Sequence, residues 1–302
     1  MLKLGLIVCA HGNAKAAARL RKAYEKQGVD AIAVMGDLGD DFKEISAVLK
    51  SVAQAKVPVI VFPGNHEPAP DYYRAVRKHK RIIECSRKQR LSFKGHDLLI
   101  LPSSNVTKED AGFRVVEGKR VPSAFLKRFH IYSISKLGKL VRNPAKTIVL
   151  SHSPPHCGTQ NSIDVAYSGV ATRSFVLKPK DARSVFGKEF AKSLLALMHG
   201  RGEIFYPEHS LKLARRGYPV RVKRRNVGMK ALTRFLKSKR IRFLACGHIH
   251  EAGQRAVTAT GRRLKSGQWN SSVWYNAAAA QYGRGGILII DNNKGTYKNI
   301  TV

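Results

Sequence analysis

The stretch VPVIVFPGNHE, running from Val57 to Glu67, is an apolar run that stops abruptly at a glycine, an amide, an imidazole and a carboxylate. A run of that length, rich in β-branched residues and closed by Pro63-Gly64, predicts a buried strand followed by a tight turn. Four other stretches repeat the arrangement: Gly36-Asp37 follows VDAIAVM, Cys9-Ala10-His11-Gly12-Asn13 follows LKLGLIV, His152 follows TIVLS, and Gly247-His248-Ile249-His250 follows IRFLAC. Each places acid–base or metal-binding side chains at the carboxyl end of an apolar run. Those ends are where ligands collect in α/β folds.

Around these stretches, short β-rich runs alternate with polar helical ones, which predicts an α/β protein. Strands are expected at 2–8, 29–35, 57–62, 97–101, 147–151, 241–246, 272–277 and 286–290. Asn13 is placed to cap a helix ending near Gly28, and further helices are expected from about Phe42 to Ala53 and from Met229 to Lys239, the last burying Leu232, Phe235 and Leu236. The first three strands are apolar throughout rather than alternating, as when both sheet faces are covered. With motifs spread from residue 9 to residue 250, the 302 residues read as one domain, carrying a basic insertion at about 165–226.

Fifty-five Lys and Arg against twenty Asp and Glu leave thirty-five cations even if every acid is paired. A phosphate-ester pocket needs only a few of them. Such an excess makes the chain repel itself and suits a polyanionic partner. Within the insertion, Arg183, Lys188, Arg215, Arg216, Lys223, Arg224 and Arg225 are candidate nucleic-acid contacts, with Phe205, Tyr206 and Tyr218 interleaved as stacking groups. RNA, with the ribosome foremost, is the expected partner. No apolar run approaches the roughly 20 residues of a membrane span. The N-terminus reads directly as a strand without the features of a secretory signal, and cysteines 9, 85, 157 and 246 form no disulfide pattern, so a cytoplasmic location is expected.

Taken together, the motifs resemble those of the calcineurin-like metallophosphoesterases, which run D-x-H, G-D, G-N-H-[E/D], H and G-H-x-H. The resemblance covers nearly the whole chain except the insertion. It implies an α/β/β/α sandwich, with two central mixed sheets flanked by helices. Asn276-Ala277-Ala278 and the run Gly285–Asp291 look like that family's terminal strand pair, without its usual Asn-Pro-Gly. The implied cofactors are divalent metal ions, two of them, drawn from Mn, Fe or Zn. By motif position Asp37 bridges both ions, His11 and His250 serve the first, Asn65, His152 and His248 complete the second, and His66 stays off the metals to protonate or stabilise the leaving oxygen.

One position departs from the pattern. The family's first aspartate is Cys9 here. A thiolate there could hold zinc or iron in preference to magnesium, whereas a neutral thiol would leave the first site weak or empty. Two functions therefore stand side by side: metal-dependent phosphoester hydrolysis on RNA or nucleotides, and a catalytically weak or inactive scaffold that binds ribosomal RNA. Cys246 reads as a small buried residue. His156 reads equally as a substrate-side group or as a surface residue.

Overall fold

Residues 1–105, 112–116, 129–186, 197–205 and 207–302 are described by the computed structural model. The chain divides into two compact units, one formed by Met1–Asp164 with Gly228–Val302 and the other by Val165–Val227.

The larger unit is built on two mixed sheets. In the six-stranded sheet, Leu2–Ile7 is flanked on one side by parallel strands Ala31–Met35, Val59–Phe62 and Ile82–Glu84. On its other side Arg284–Asp291 runs antiparallel to it, and Lys294–Thr301 runs antiparallel to Arg284–Asp291. The seven-stranded sheet centres on parallel His96–Leu101, Thr147–Ser151, Phe243–Cys246 and Val273–Asn276, with antiparallel strands at both edges.

The period-two geometry of strands explains how two layers of core arise from continuous apolar runs. Leu2, Leu4 and Leu6, with Ala31, Ala33, Met35, Ile60 and Phe62, form one buried cluster with Leu98, Ile100, Ile148, Leu150, Phe243 and Ala245 of the other sheet. The alternate residues Ile7, Ile32, Val34, Val59 and Val61 belong instead to the cluster containing the helical residues Ala17, Leu20, Ile45, Val48 and Leu49. The same cluster holds Leu99, Leu101 and Val149 with Leu232, Phe235 and Leu236 of the helix Lys230–Ser238. The layers are thus helix, sheet, sheet, helix.

The helices start where short polar side chains cap them. Asn13 Oδ1 accepts from the amide of Ala16 at 3.0 Å ahead of Ala14–Lys26. Asp41 Oδ1 does the same for Glu44 at 2.8 Å ahead of Phe42–Val52. Among the described residues, no helix is long and apolar enough to cross a membrane.

One expectation needs correcting. Val273–Asn276 and Arg284–Asp291 are not a pair: they lie in different sheets, and the partner of the latter is Lys294–Thr301. That last strand, KGTYKNIT, sits at a sheet edge with half its residues toward water, so it lacks an apolar signature. The basic insertion has secondary structure of its own. Val165–Val227 holds a three-stranded antiparallel sheet, ordered Ile204–Phe205, Val165–Ala171, Val220–Asn226. It also holds the strand pair Phe175–Leu177 and Leu197–His199, and helices Pro179–Phe186 and Pro207–Arg215. Its own small core comprises Ala171, Leu177, Ala182, Val185, Phe205, Leu213 and Val220.

Leu4 is fully buried between the two large sheets. Leu4→Ala is expected to lower unfolding free energy by about 2–5 kcal/mol, the cost of lost burial plus a cavity. Urea denaturation of the two proteins checks this.

Candidate metal centre

The loops that follow the first strands are stitched together by main-chain bonds. The amides of Cys9 and His11 donate to the carbonyls of Gly36 and Asp37 at 3.0 and 2.9 Å. Gly247 donates to His152 at 2.9 Å, and Gln281 to Cys9 at 3.0 Å. Glu67, fully buried, accepts from the amides of Leu38 (2.7 Å) and Gly64 (2.8 Å) with its two oxygens, tying the second loop to the third. Burial, followed by the Asp37 charge, pushes its carboxyl up to about 7.

Close approach of these loops explains two of the motif glycines. Gly36 has φ 85°, and a Cβ on it would lie 2.3 Å from the Gly64 nitrogen. A Cβ on Gly64 would lie 2.1 Å from Asp37 Oδ1. Four candidate residues also take left-handed backbone: Cys9 (φ 56°), His11 (φ 41°), Asp37 (φ 54°) and His248 (φ 65°). Such conformations cost about 1–3 kcal/mol each and persist only where the surroundings dictate them.

Asp37 sits at the centre, 2% exposed. Its Oδ1 accepts from the amides of Asn65 and His66 at 3.0 and 3.2 Å. Its Oδ2 lies 3.1 Å from His152 Nε2, 3.8 Å from His11 Nε2 and 3.9 Å from Cys9 Sγ. Burial opposes ionisation of this carboxyl, but the facing His152 outweighs it through charge and hydrogen bonding, and holds the group well below the usual carboxylate range. His152 donates from Nδ1 to the Met35 carbonyl (2.9 Å), and its Nε2 also approaches Asn65 Oδ1 at 3.2 Å. Burial works against its proton too, and Asp37 overcomes this, so its pKa is raised.

The other imidazoles close the ring. His11 packs edge-on to His66 (4.9 Å between centroids) and to His250 (5.4 Å), and His248 lies 5.0 Å from His152. Burial pushes His11 below the usual histidine value; burial and then the neighbouring His152 take His248 down to about 3. Neutral imidazoles offer lone pairs to a cation. Cys9, His11 and His250 bring donor atoms within 4.8 Å of one another, as do Cys9, Asp37 and His152.

His11 Nε2 is buried without a hydrogen-bond partner, although buried polar groups are otherwise nearly always satisfied. An orphaned imidazole nitrogen facing an ionised, buried carboxylate is what a divalent cation would complete, so the residues fit the ions that the family implies. Cys9 fits less simply. Its thiol is fully buried and accepts from the His248 amide at 3.3 Å, and burial together with the Asp37 charge raises its pKa well above the ordinary thiol value.

Every metal-motif residue named from the sequence thus lies in one cluster: Cys9, His11, Asp37, Asn65, His66, His152, His248 and His250. Three participants have no role assigned by the motifs: Glu67, Asp40 and Gln281. Asp40 Oδ1 lies 2.8 Å from His66 Nδ1, and that bond, against burial, lifts His66 to about 9. Gln281 Nε2 lies 3.2 Å from His250 Nδ1. Asp40 follows Asp37 by three residues, so its signal is the second aspartate of GDLGD.

In the smaller unit, Lys223, Arg224 and Arg225 lie on Val220–Asn226, Arg215 ends the helix Pro207–Arg215, and Arg216 follows it. Arg183 belongs to Pro179–Phe186; Lys188 and Tyr206 lie outside the described residues. Arg224 stacks over Tyr167, while Arg216 bonds Ser184 Oγ at 2.6 Å and pairs with Asp181. Phe205 cannot stack on a base, because it is a core residue, 4% exposed. Tyr218 is half-buried, donating to Asp181 at 2.6 Å. In the larger unit Cys246 is fully buried, as expected, and His156 lies 3.5 Å from Asp164.

Gly64→Ala is expected to keep the far-UV circular dichroism spectrum and to weaken divalent-cation binding by about tenfold or more, since it displaces the Asp37 carboxylate; a calorimetric zinc titration reads this. Removing the Asp40 charge removes the chief support of the His66 proton. In metal-free Asp40→Asn, His66 should therefore deprotonate roughly one pH unit or more lower than in the wild type, followed by NMR of its ring proton.

The calcineurin-like phosphoesterase profile matches residues 3–187. The protein TT1561 of Thermus thermophilus is 12% identical over 99% of this chain and 98% of its own, with a TM-score of 0.55. A second solved structure gives 10% identity, 99% coverage of both chains and a TM-score of 0.56. The phosphopantetheinyl hydrolase of Mycobacterium tuberculosis, at 14% identity over 90% of this chain and 89% of its own, gives 0.42. For the first two, at these identities, the structural likeness is one of fold. No curated protein matches the chain. With the profile covering more than half of the sequence, the chain belongs to the calcineurin-like phosphoesterase family.

Proposed function

We propose that this protein hydrolyses phosphoesters of RNA or nucleotides in a metal-dependent reaction. The observation that carries the reading is one ionised, buried carboxylate, Asp37, enclosed by imidazole donors from three separate loops. His11 and His250, with Cys9 beside them, would hold one divalent cation against Asp37, and Asn65, His152 and His248 would hold a second. Bound there, such cations supply activation of water and neutralisation of charge developing on phosphorus. His66 carries its proton at neutral pH through Asp40 and is 29% exposed, so it can deliver that proton to a departing oxygen. Gln281 and the Met35 carbonyl orient His250 and His152.

A second reading is favoured by Cys9. A buried thiol that keeps its proton leaves the first cation site without an anionic ligand of its own. Combined with a net charge of +35, this supports a weakly catalytic protein that binds ribosomal RNA.

Hydrolysis of bis(p-nitrophenyl) phosphate with added manganese separates the two. Activity is expected in the wild type and should fall at least about a hundredfold in Asp37→Asn, the scale of losing several kcal/mol of charge stabilisation. Cys9→Asp should bind manganese more tightly than the wild type, because a hard oxygen replaces a soft sulfur. Inert wild type and inert Cys9→Asp at every manganese concentration would remove the hydrolytic reading.

A further inference from the structure

The residues 165–227 contain fourteen Lys and Arg against four acids, and the strands sort these cations by face. In the pairing of Val165–Ala171 with Val220–Asn226, Ala166 is opposite Arg225, Ser168 opposite Lys223 and Val170 opposite Arg221. Opposed residues share a face, so these six stand on one side of the sheet. Ile204, paired with Val170 on the edge strand, joins them.

The other side is taken. Gly169, on that side, lies so close to the helix Pro207–Arg215 that a Cβ would meet Ser210 at 2.4 Å. Val220 and Phe205 are buried in the core there, and Arg224 lies over Tyr167.

The first side is open. Ile204 is 70% exposed and Val227 45% exposed, and Arg221 and Arg225 are exposed. Ala166, Ser168, Val170, Ile204, Arg225 and Val227 line a shallow groove there. Ser168 Oγ is buried in it without a hydrogen-bond partner. The paired residues of this face include no acid. Among the described acids of the unit, Asp181 is engaged by Arg216 and Tyr218, and Glu203 by His199.

We infer that this open sheet face binds single-stranded RNA along its phosphate backbone. The inference rests on the RNA part of the proposed function and says where that contact is made. Residues two apart on a strand repeat every 6.6–6.8 Å or so, a step comparable with that between successive phosphates of an extended single strand. Arg221, Lys223 and Arg225 therefore present a row of cations in register with a row of anions. Opposite them stand only small side chains, Ala166, Ser168 and Val170, so a chain can lie close to the sheet. Ile204 and Val227 give apolar contact to sugars. No aromatic ring stands among the paired residues of the face, so the binding is independent of base sequence.

The test is fluorescence anisotropy of the full chain with fluorescein-labelled oligouridylate, its integrity checked on a gel. The triple variant Arg221→Ala, Lys223→Ala, Arg225→Ala should bind about tenfold or more weakly. It should also lower the slope of log affinity against log salt by about two, at roughly 0.7 per phosphate contact. Lys178→Ala, Lys180→Ala, Lys212→Ala, which removes the same charge from the helices Pro179–Phe186 and Pro207–Arg215 and the residue before the first, should stay within about threefold of the wild type. Equal loss in both triple variants means that charge alone acts and overturns the assignment. A duplex that competes as well as the single strand overturns it too. If the wild type itself fails to bind, the RNA part of the proposed function falls with it, whereas wild-type binding left intact by the first triple variant refutes only this face.

Discussion

A single buried carboxylate sets the terms for the rest of the larger unit. Asp37 stands at the end of a strand, almost wholly out of water, and keeps its charge. Burying an isolated ion is prohibitively costly, so the surroundings must supply positive charge or hydrogen-bond donors. They do so with two backbone amides on one oxygen and His152 on the other. His152, which Asp37 draws toward its protonated form, faces the carboxylate where a divalent cation would lie. A cation there would compete with protons for the same donors, coupling affinity to pH.

Holding that arrangement explains features that look unrelated along the chain. Three parallel strands end side by side, and their loops meet only because Gly36 and Gly64 have no side chain to collide. Glu67 then clamps two loops through their amides. The left-handed backbone at Cys9, His11, Asp37 and His248 costs energy that the inter-sheet core beneath must offset. Cys9 belongs to that core as much as to the site: it sits in the same apolar cluster as Leu4 and Val8. Its sulfur serves packing at once and metal ligation only if it gives up a proton that the environment favours.

The larger unit was highly legible because its strands are apolar, short and bounded by glycine or proline, and because each motif sits at a strand end. Asn13 as a helix cap and Leu232, Phe235 and Leu236 as a buried stripe followed from spacing alone. Less legible were groups whose role is to hold other groups. Asp40 and Gln281 are ordinary polar residues in loops, and only the packing brings them to His66 and His250. The segment 165–227 was opaque for a different reason. Among the described residues its buried core is scattered among many cations, so no stretch shows clear periodicity, and Phe205 reads as a surface aromatic.

The most direct measurement is anomalous diffraction from crystals grown with manganese or zinc. The expected result is density within bonding distance of the Asp37 carboxylate, shared with nitrogens of His152 and His248 on one side and of His11 and His250 on the other. A map in which cations occupy only surface positions, with Asp37 still paired to His152 alone, would contradict the metal-centre reading.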